Sequence, residues 1–275
     1  MYQNLLIYFA MIIIAVAAYV LLKQRILVFL KQKNMVVENY MGKQIVTGGG
    51  LLLLFPCLLA VFPKLLIEYK TNYIFYILIV LSLTFSGILD DILGDSSAKG
   101  IIGHTRCFIK GGFSTGIMKA LTGGIIGILL ALSRYETPIG FFLDIIMFPL
   151  CINLINLLDL RPGRAIKGFS TLLFLIAISS GFKEIWIVLP MITSLCCYLK
   201  GEMEERYMLG DTGANLIGGI LGFYAVITLP MQGKLILTIF LITIQLFAEF
   251  YSLSRWIDTI PLLRKIDQFG KKNWR

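Results

Sequence analysis

From Leu5 to Leu22 the chain carries no charged side chain, and a second such run extends from Tyr73 to Leu89. Runs of this length approach the roughly 20 residues a helix needs to cross a bilayer core. In lipid every backbone N–H and C=O must be satisfied within the protein, and a helix does this inside one segment. These runs therefore restrict the fold more than any other property of the sequence. Composition agrees: 57% of residues are hydrophobic and 15% charged, beyond what a soluble domain of this length requires.

The expectation is an all-α polytopic membrane protein with about nine transmembrane helices. They lie near 4–22, 49–67, 72–89, 113–133, 138–158, 168–182, 185–199, 213–230 and 235–252. The segments at 168 and 185 are short and could form one re-entrant pair. No polar stretch is long enough for a separate soluble domain, so residues 1–252 read as one transmembrane domain. Residues 253–275 read as a basic, amphipathic, interfacial tail. The first run lacks the basic flank and small-residue cleavage site of a signal peptide and reads as a retained span.

The 25 Lys and Arg residues divide unevenly between the two sides. Lys64, Lys70, Arg134, Lys183 and Lys234 fall on one side, Lys119 falls in a span, and the other 19 share the opposite side. The positive-inside rule then places the N-terminus outside and the C-terminus in the cytoplasm. A net charge of +9 distributed this way suits headgroups or a phosphorylated substrate, not nucleic acid. The five cysteines (57, 107, 151, 196 and 197) show no metal-type spacing and read as small hydrophobes.

The residues capable of chemistry gather on the basic side. Asp90 and Asp91 end an apolar run, with Gly87 before them and Gly94 and Lys99 after. Adjacent carboxylates repel, so a divalent cation or a shared proton is one reason to pair them; a solvated helix end is the other. Asn153, Asn156 and Asp159 recur at i, i+3 on one helical face, where polar side chains need protein or ligand partners. Arg161 and Arg164 follow in a turn, and their forks suit phosphate or a positive-inside anchor. Asp211, in Gly210-Asp211-Thr212-Gly213, can cap the span it opens or meet an anion-binding helix start. Lys119 either snorkels or pairs with an aspartate or phosphate. His104, the lone histidine, reads as an exposed loop residue, and Glu249 is a lesser buried-acid candidate.

Taken in order, these motifs resemble the polyprenyl-phosphate N-acetylhexosamine-1-phosphate transferases, the family of phospho-N-acetylmuramoyl-pentapeptide transferase and the GlcNAc-1-phosphate transferases. Asp90-Asp91 is similar to its paired aspartates, Asn153-x-x-Asn156-x-x-Asp159 to its Asn/Asn/Asp element, and Gly210-Asp211-Thr212-Gly213 to its Gly-Asp-Thr-Gly element. Lys119 stands where the family carries a lysine, and Thr47-Gly48-Gly49 resembles its early glycine pair. The resemblance spans residues 40 to 252. It implies sugar-1-phosphate transfer from a UDP-sugar to a polyprenyl phosphate at the cytoplasmic face of the cell membrane, with Mg²⁺, for envelope glycan synthesis. By the same resemblance Asp211 is the foremost metal ligand, and Asp90 or Asp91 contacts metal or deprotonates the lipid phosphate. Asn153, Asn156 and Asp159 line the nucleotide side, while Lys99 and Lys119 hold phosphate; Arg161 and Arg164 remain substrate-binding candidates by their own chemistry.

The sequence departs from the family where Pro162 replaces an acid and where 253–272 lacks clustered histidines. These departures speak against a muramoyl-pentapeptide substrate and support an alternative, a membrane scaffold or regulator of the same fold. A small transporter is a third class, resting on Lys119 and Glu249 alone. The glycine-rich span after Asp211 is compatible with a homodimer.

Overall fold

The computed structural model describes residues 2–94, 103, 107, 109, 111–112 and 114–270; Lys99 and His104 lie outside them. The chain begins with α1 (Tyr2–Gln32) and a short antiparallel hairpin of β1 (Val36–Glu38) and β2 (Gln44–Val46), in register Val36 to Val46. Then come α2 (Leu51–Ala60), α3 (Phe62–Ile67), α4 (Thr71–Leu93) and α5 (Thr115–Ser133). Next are α6 (Pro138–Leu158), α7 (Arg164–Ser180), α8 (Leu189–Met203), α9 (Gly210–Thr228) and α10 (Met231–Phe250). Two short helices close the described chain, α11 (Leu253–Thr259) and α12 (Pro261–Gln268).

Among the described residues six helical stretches are long and apolar enough to cross a membrane: Asn4–Gln32, Thr71–Leu93, Thr115–Ser133, Pro138–Leu158, Ile185–Met203 and Met231–Phe250. The other three expected spans are helical but do not qualify. The segment expected at 49–67 breaks at Val61, where Pro63 stands in the first turn of α3 and starts a new helix. Helix α7 has 17 residues, about 25 Å at 1.5 Å per residue, short of a hydrocarbon core. It ends at Gly181, whose left-handed backbone (φ 65°) returns its N–H to the carbonyls of Ala177 and Ile178.

The remaining segment, α9, is the hub. Every residue from Thr212 to Val226 is buried, and the helix packs against α6, α4 and α7. Its glycines are used inside the bundle: Gly218 and Gly222 press on Ile152 and Phe148 of α6, and Gly219 on Leu83 of α4. The surface offered above for a homodimer is thus occupied by the chain's own helices.

An ion pair unseen in the sequence joins α6 to α10, with Lys234 Nζ 2.8 Å from each carboxylate oxygen of Asp144. Asp144 is 3% exposed. Lys234, counted above among the basic residues of the less basic side, stands in the first turn of α10 and meets the buried carboxylate that answers its charge.

Candidate active site at the carboxylate end of the bundle

Neighbouring residues on a helix point about 100° apart, so Asp90 and Asp91 near the end of α4 face different partners. Asp90 turns toward α5, where Lys119 Nζ donates to Asp90 Oδ2 at 3.1 Å. The same ammonium donates to Asp211 Oδ1 at the start of α9 and to Asn156 Oδ1 of α6 at 3.3 Å. An ammonium has three donors and no acceptor, and here the three go to three different helices. The Asp90 and Asp211 carboxylates are also within hydrogen-bonding reach of each other. Asp211 is the most open of the set, with 38% of its side chain exposed against 17% for Lys119 and 15% for Asp90.

Asp91 turns toward the first turn of α9. Its Oδ1 accepts from the Asp211 backbone N–H at 3.0 Å and from Thr47 Oγ1 at 3.5 Å. Its Oδ2 accepts from the Thr212 backbone N–H at 3.0 Å and from Thr212 Oγ1 at 2.5 Å. The first N–H groups of a helix lack intrahelical partners and carry its positive dipole end; Asp91 supplies both acceptor and charge from a neighbouring helix. Asp91 thus holds the start of α9 in place through both of its oxygens.

The backbone here is glycine by necessity. Gly210 has φ +66°, and a Cβ on it would lie 2.7 Å from both Asp91 oxygens. A Cβ on Gly87 would lie 2.4 Å from Thr212 Cα. The residues before α2 complete the cradle. Met208 N–H donates to Val46 O at 2.8 Å, Gly49 N–H to Met208 O at 2.9 Å, and Gly50 N–H to Leu209 O at 3.0 Å.

The Asn/Asn/Asp element divides its duties. Asn156 Nδ2 donates to Asn215 Oδ1 at 2.7 Å and to Ile152 O at 3.0 Å, which aims its own oxygen at Lys119. Asn153 points elsewhere, its Nδ2 donating to Gln245 Oε1 of α10 at 2.5 Å. Asp159 follows α6 as its C-terminal cap residue, close to the start of α9. Burial, with Glu202, Asp211 and Asp91 nearby, pushes its carboxyl well above the usual carboxylate range; the Gly210 N–H, which donates to it, pulls the other way.

The two arginines expected to line a substrate are committed to the tail. Arg161 makes a two-pronged pair with Asp258 at 2.7 and 2.6 Å. Arg164, 4% exposed, holds Asp267 at 2.7 and 3.2 Å and donates to Ser254 at 2.7 Å. Lys167 Nζ donates to the carbonyls of Ile266, Asp267 and Phe269. The forks found carboxylates, as their geometry prefers, but carboxylates of α11 and α12.

Three members of this end were not singled out from sequence. Asn215 lies one turn after Asp211, an i, i+4 signal that was available. Glu202, 1% exposed, accepts from the Gly163 N–H at 2.7 Å. Asp267 is buried beside Arg164. The last two lie in segments with no motif around them.

No known family's sequence profile matches this chain, and no curated protein matches it. Fold and composition define it as an all-α protein with membrane-spanning helices. The donor chemistry can be tested against the Mg²⁺ that the resemblance implies. Mg²⁺ takes one or two carboxylates and fills its octahedron with phosphate oxygens and water. Asp90 and Asp211, which converge on Lys119, supply carboxylates of the kind that demand calls for, and Asp91 stands next to Asp90 with its oxygens turned to the start of α9.

Proposed function

We propose that this protein transfers a sugar-1-phosphate, of the N-acetylhexosamine type, from a UDP-sugar to a polyprenyl phosphate at the cytoplasmic face of the cell membrane. The observation that carries the reading is the meeting of Asp90, Lys119, Asn156 and Asp211, four residues from separate helices, around one ammonium. The skew of basic residues toward the same end supports a cytoplasmic position for that end and an outside N-terminus.

In the proposed reaction an oxygen of the lipid phosphate attacks the β-phosphorus of the UDP-sugar. The new P–O bond forms as the bond from that phosphorus to the bridging oxygen breaks, and UMP leaves with the electron pair. Two polyanions must approach, so screening their charge is the main task. Lys119 would exchange one of its three present partners for a phosphate oxygen, and Asn156 orients it. Mg²⁺, held by Asp90 and Asp211, would neutralise the diphosphate and the departing UMP. The proton of the lipid phosphate would pass to Asp90 or Asp91, as the resemblance implies. Lys99, outside the described residues, keeps its proposed phosphate role from sequence alone.

The test uses purified protein in detergent with undecaprenyl phosphate, Mg²⁺ and a panel of UDP-sugars, reading UMP release. Release with one sugar, lost in Asp211→Ala, supports the reading. No release with any sugar from folded protein refutes it and favours the second reading, a membrane scaffold without turnover. The engagement of Arg161 and Arg164 by Asp258 and Asp267 is the observation on that side.

A further inference from the structure

Helices α7 and α8 part along their length and leave a groove on the side of the bundle. The section nearest the carboxylate end has a volume of about 1000 Å³ and is walled by Ile166, Leu199 and Met203. It continues into a section of about 320 Å³ between Phe169, Leu173, Leu195 and Phe182. Ile166, Ser170, Cys196 and Leu199 line both sections, so the two adjoin along one groove. Ser170 and Thr171 turn their hydroxyls back onto the Ile166 and Lys167 carbonyls at 2.8 and 2.9 Å, which leaves the wall apolar. Asp90, Lys119, Asn156 and Asp211 do not line it.

The mouth is charged. Lys167, Lys200, Lys265 and Glu204 stand around it. Lys167 is engaged with the carbonyls at the end of α12, and Glu204 pairs with Arg206 at 2.6 Å. Lys200 and Lys265 are exposed and hold no ion pair among the described residues. An apolar groove running along a membrane-embedded bundle and ending at two unanswered ammonium groups is complementary to a molecule with a long hydrocarbon chain and an anionic head. A second copy of this chain would bring a like-charged mouth to the same place.

We propose that this groove binds an anionic glycerophospholipid, with one acyl chain between α7 and α8 and the headgroup phosphate between Lys200 and Lys265. The inference is independent of the proposed transferase reaction, because none of the residues placed in that reaction lines the groove.

The test is photolabelling of the purified full chain with phosphatidylglycerol carrying a diazirine in its acyl chain, followed by peptide mapping. Label should concentrate on α7 and α8. Unlabelled phosphatidylglycerol should compete about tenfold or more better than phosphatidylcholine, and the K200E/K265E variant should lose that preference. Leu199→Trp, which fills the groove and spares the mouth, should lower labelling whatever the headgroup. Should either variant fail to fold, the unmodified protein still reports: alkylation of Cys196, exposed in the groove, should slow with phosphatidylglycerol and not with phosphatidylcholine. Label spread evenly over α1, α5 and α10 would overturn the proposal. So would equal competition by the two lipids, or competition by undecaprenyl phosphate but not by phosphatidylglycerol.

Discussion

Replacing Asp91 by alanine should unfold the protein at a markedly lower temperature, and replacing Asp90 should not. Asp91 receives the backbone N–H groups of Asp211 and Thr212 at 3.0 Å each, and the Thr212 hydroxyl besides. Alanine leaves two backbone donors in a crevice with no acceptor, at about 1–3 kcal/mol each, and these two bonds are the cap of α9. The sum, allowing for relaxation, is about 3–5 kcal/mol. For a chain of this size each kcal/mol moves the midpoint by about 2–4 °C, so a fall of about 10 °C is expected. Asp90→Ala removes one of two carboxylates from Lys119, which keeps Asp211; about 1 kcal/mol and about 3 °C follow. Asp91→Asn retains one carbonyl acceptor and should fall between. The assay is fluorescence-detected melting in detergent, with Trp186, packed against Tyr73 at 4.7 Å, as a buried reporter. Equal shifts for the Asp90 and Asp91 variants would refute the division of labour between the two aspartates.

Arg164→Met should strand the buried Asp267, destabilise docking of the tail by about 3–5 kcal/mol, and speed tryptic cleavage at Arg255, Arg264 and Lys265; Arg164→Met with Asp267→Leu should recover most of the protection. Lys234→Met alone should lower the midpoint, while Asp144→Leu/Lys234→Met together should lie within about 1 kcal/mol of wild type by the same melting assay, since a buried pair is weak net support but a broken one is costly. Gly87→Ala should act like Asp91→Ala, because its Cβ would meet Thr212 Cα at 2.4 Å, and overpacking of this kind costs about 1–3 kcal/mol or more. Asp159 has a folded pKa above its ordinary value of 3.8, so the folded chain binds more protons and stability falls as pH rises from about 4 toward that raised value. Asp159→Asn should flatten this part of a pH series of melting temperatures and raise the midpoint at neutral pH.

The apolar runs made the helices legible, because lipid permits little else for an uncharged segment of that length. The same reasoning places a span at 213–230 and a helix stands there, but the glycines and Asp211 of α9 lower its hydropathy, and α9 is enclosed by other helices where a lipid-facing span was expected. Within the site, the i, i+3 spacing put Asn153, Asn156 and Asp159 on one face, yet Asn153 found Gln245 on α10 and only Asn156 reached Lys119. Periodicity assigns a face and does not choose between neighbours on it. The roles of Asp90 and Asp91 were separable in principle from their 100° offset, but which of them met Lys119 depended on the packing of α4 between α5 and α9. The partners of Arg161 and Arg164 were hidden for a different reason. Asp258 and Asp267 lie about a hundred residues away, in a tail with no pattern to point them back.

A helix with no lipid-facing side gains nothing from leaving the translocation channel alone. Helix α9 is closed off by α4, α6 and α7 over the whole stretch from Thr212 to Val226, so its affinity is for a slot made earlier in synthesis and not for the bilayer. Burial of this helix is therefore an assembly step as much as a partitioning step: its enclosure depends on walls contributed by α4, α6 and α7, all made earlier in the chain. A defect in those walls would leave α9 without the enclosure that its buried glycine-rich surface requires.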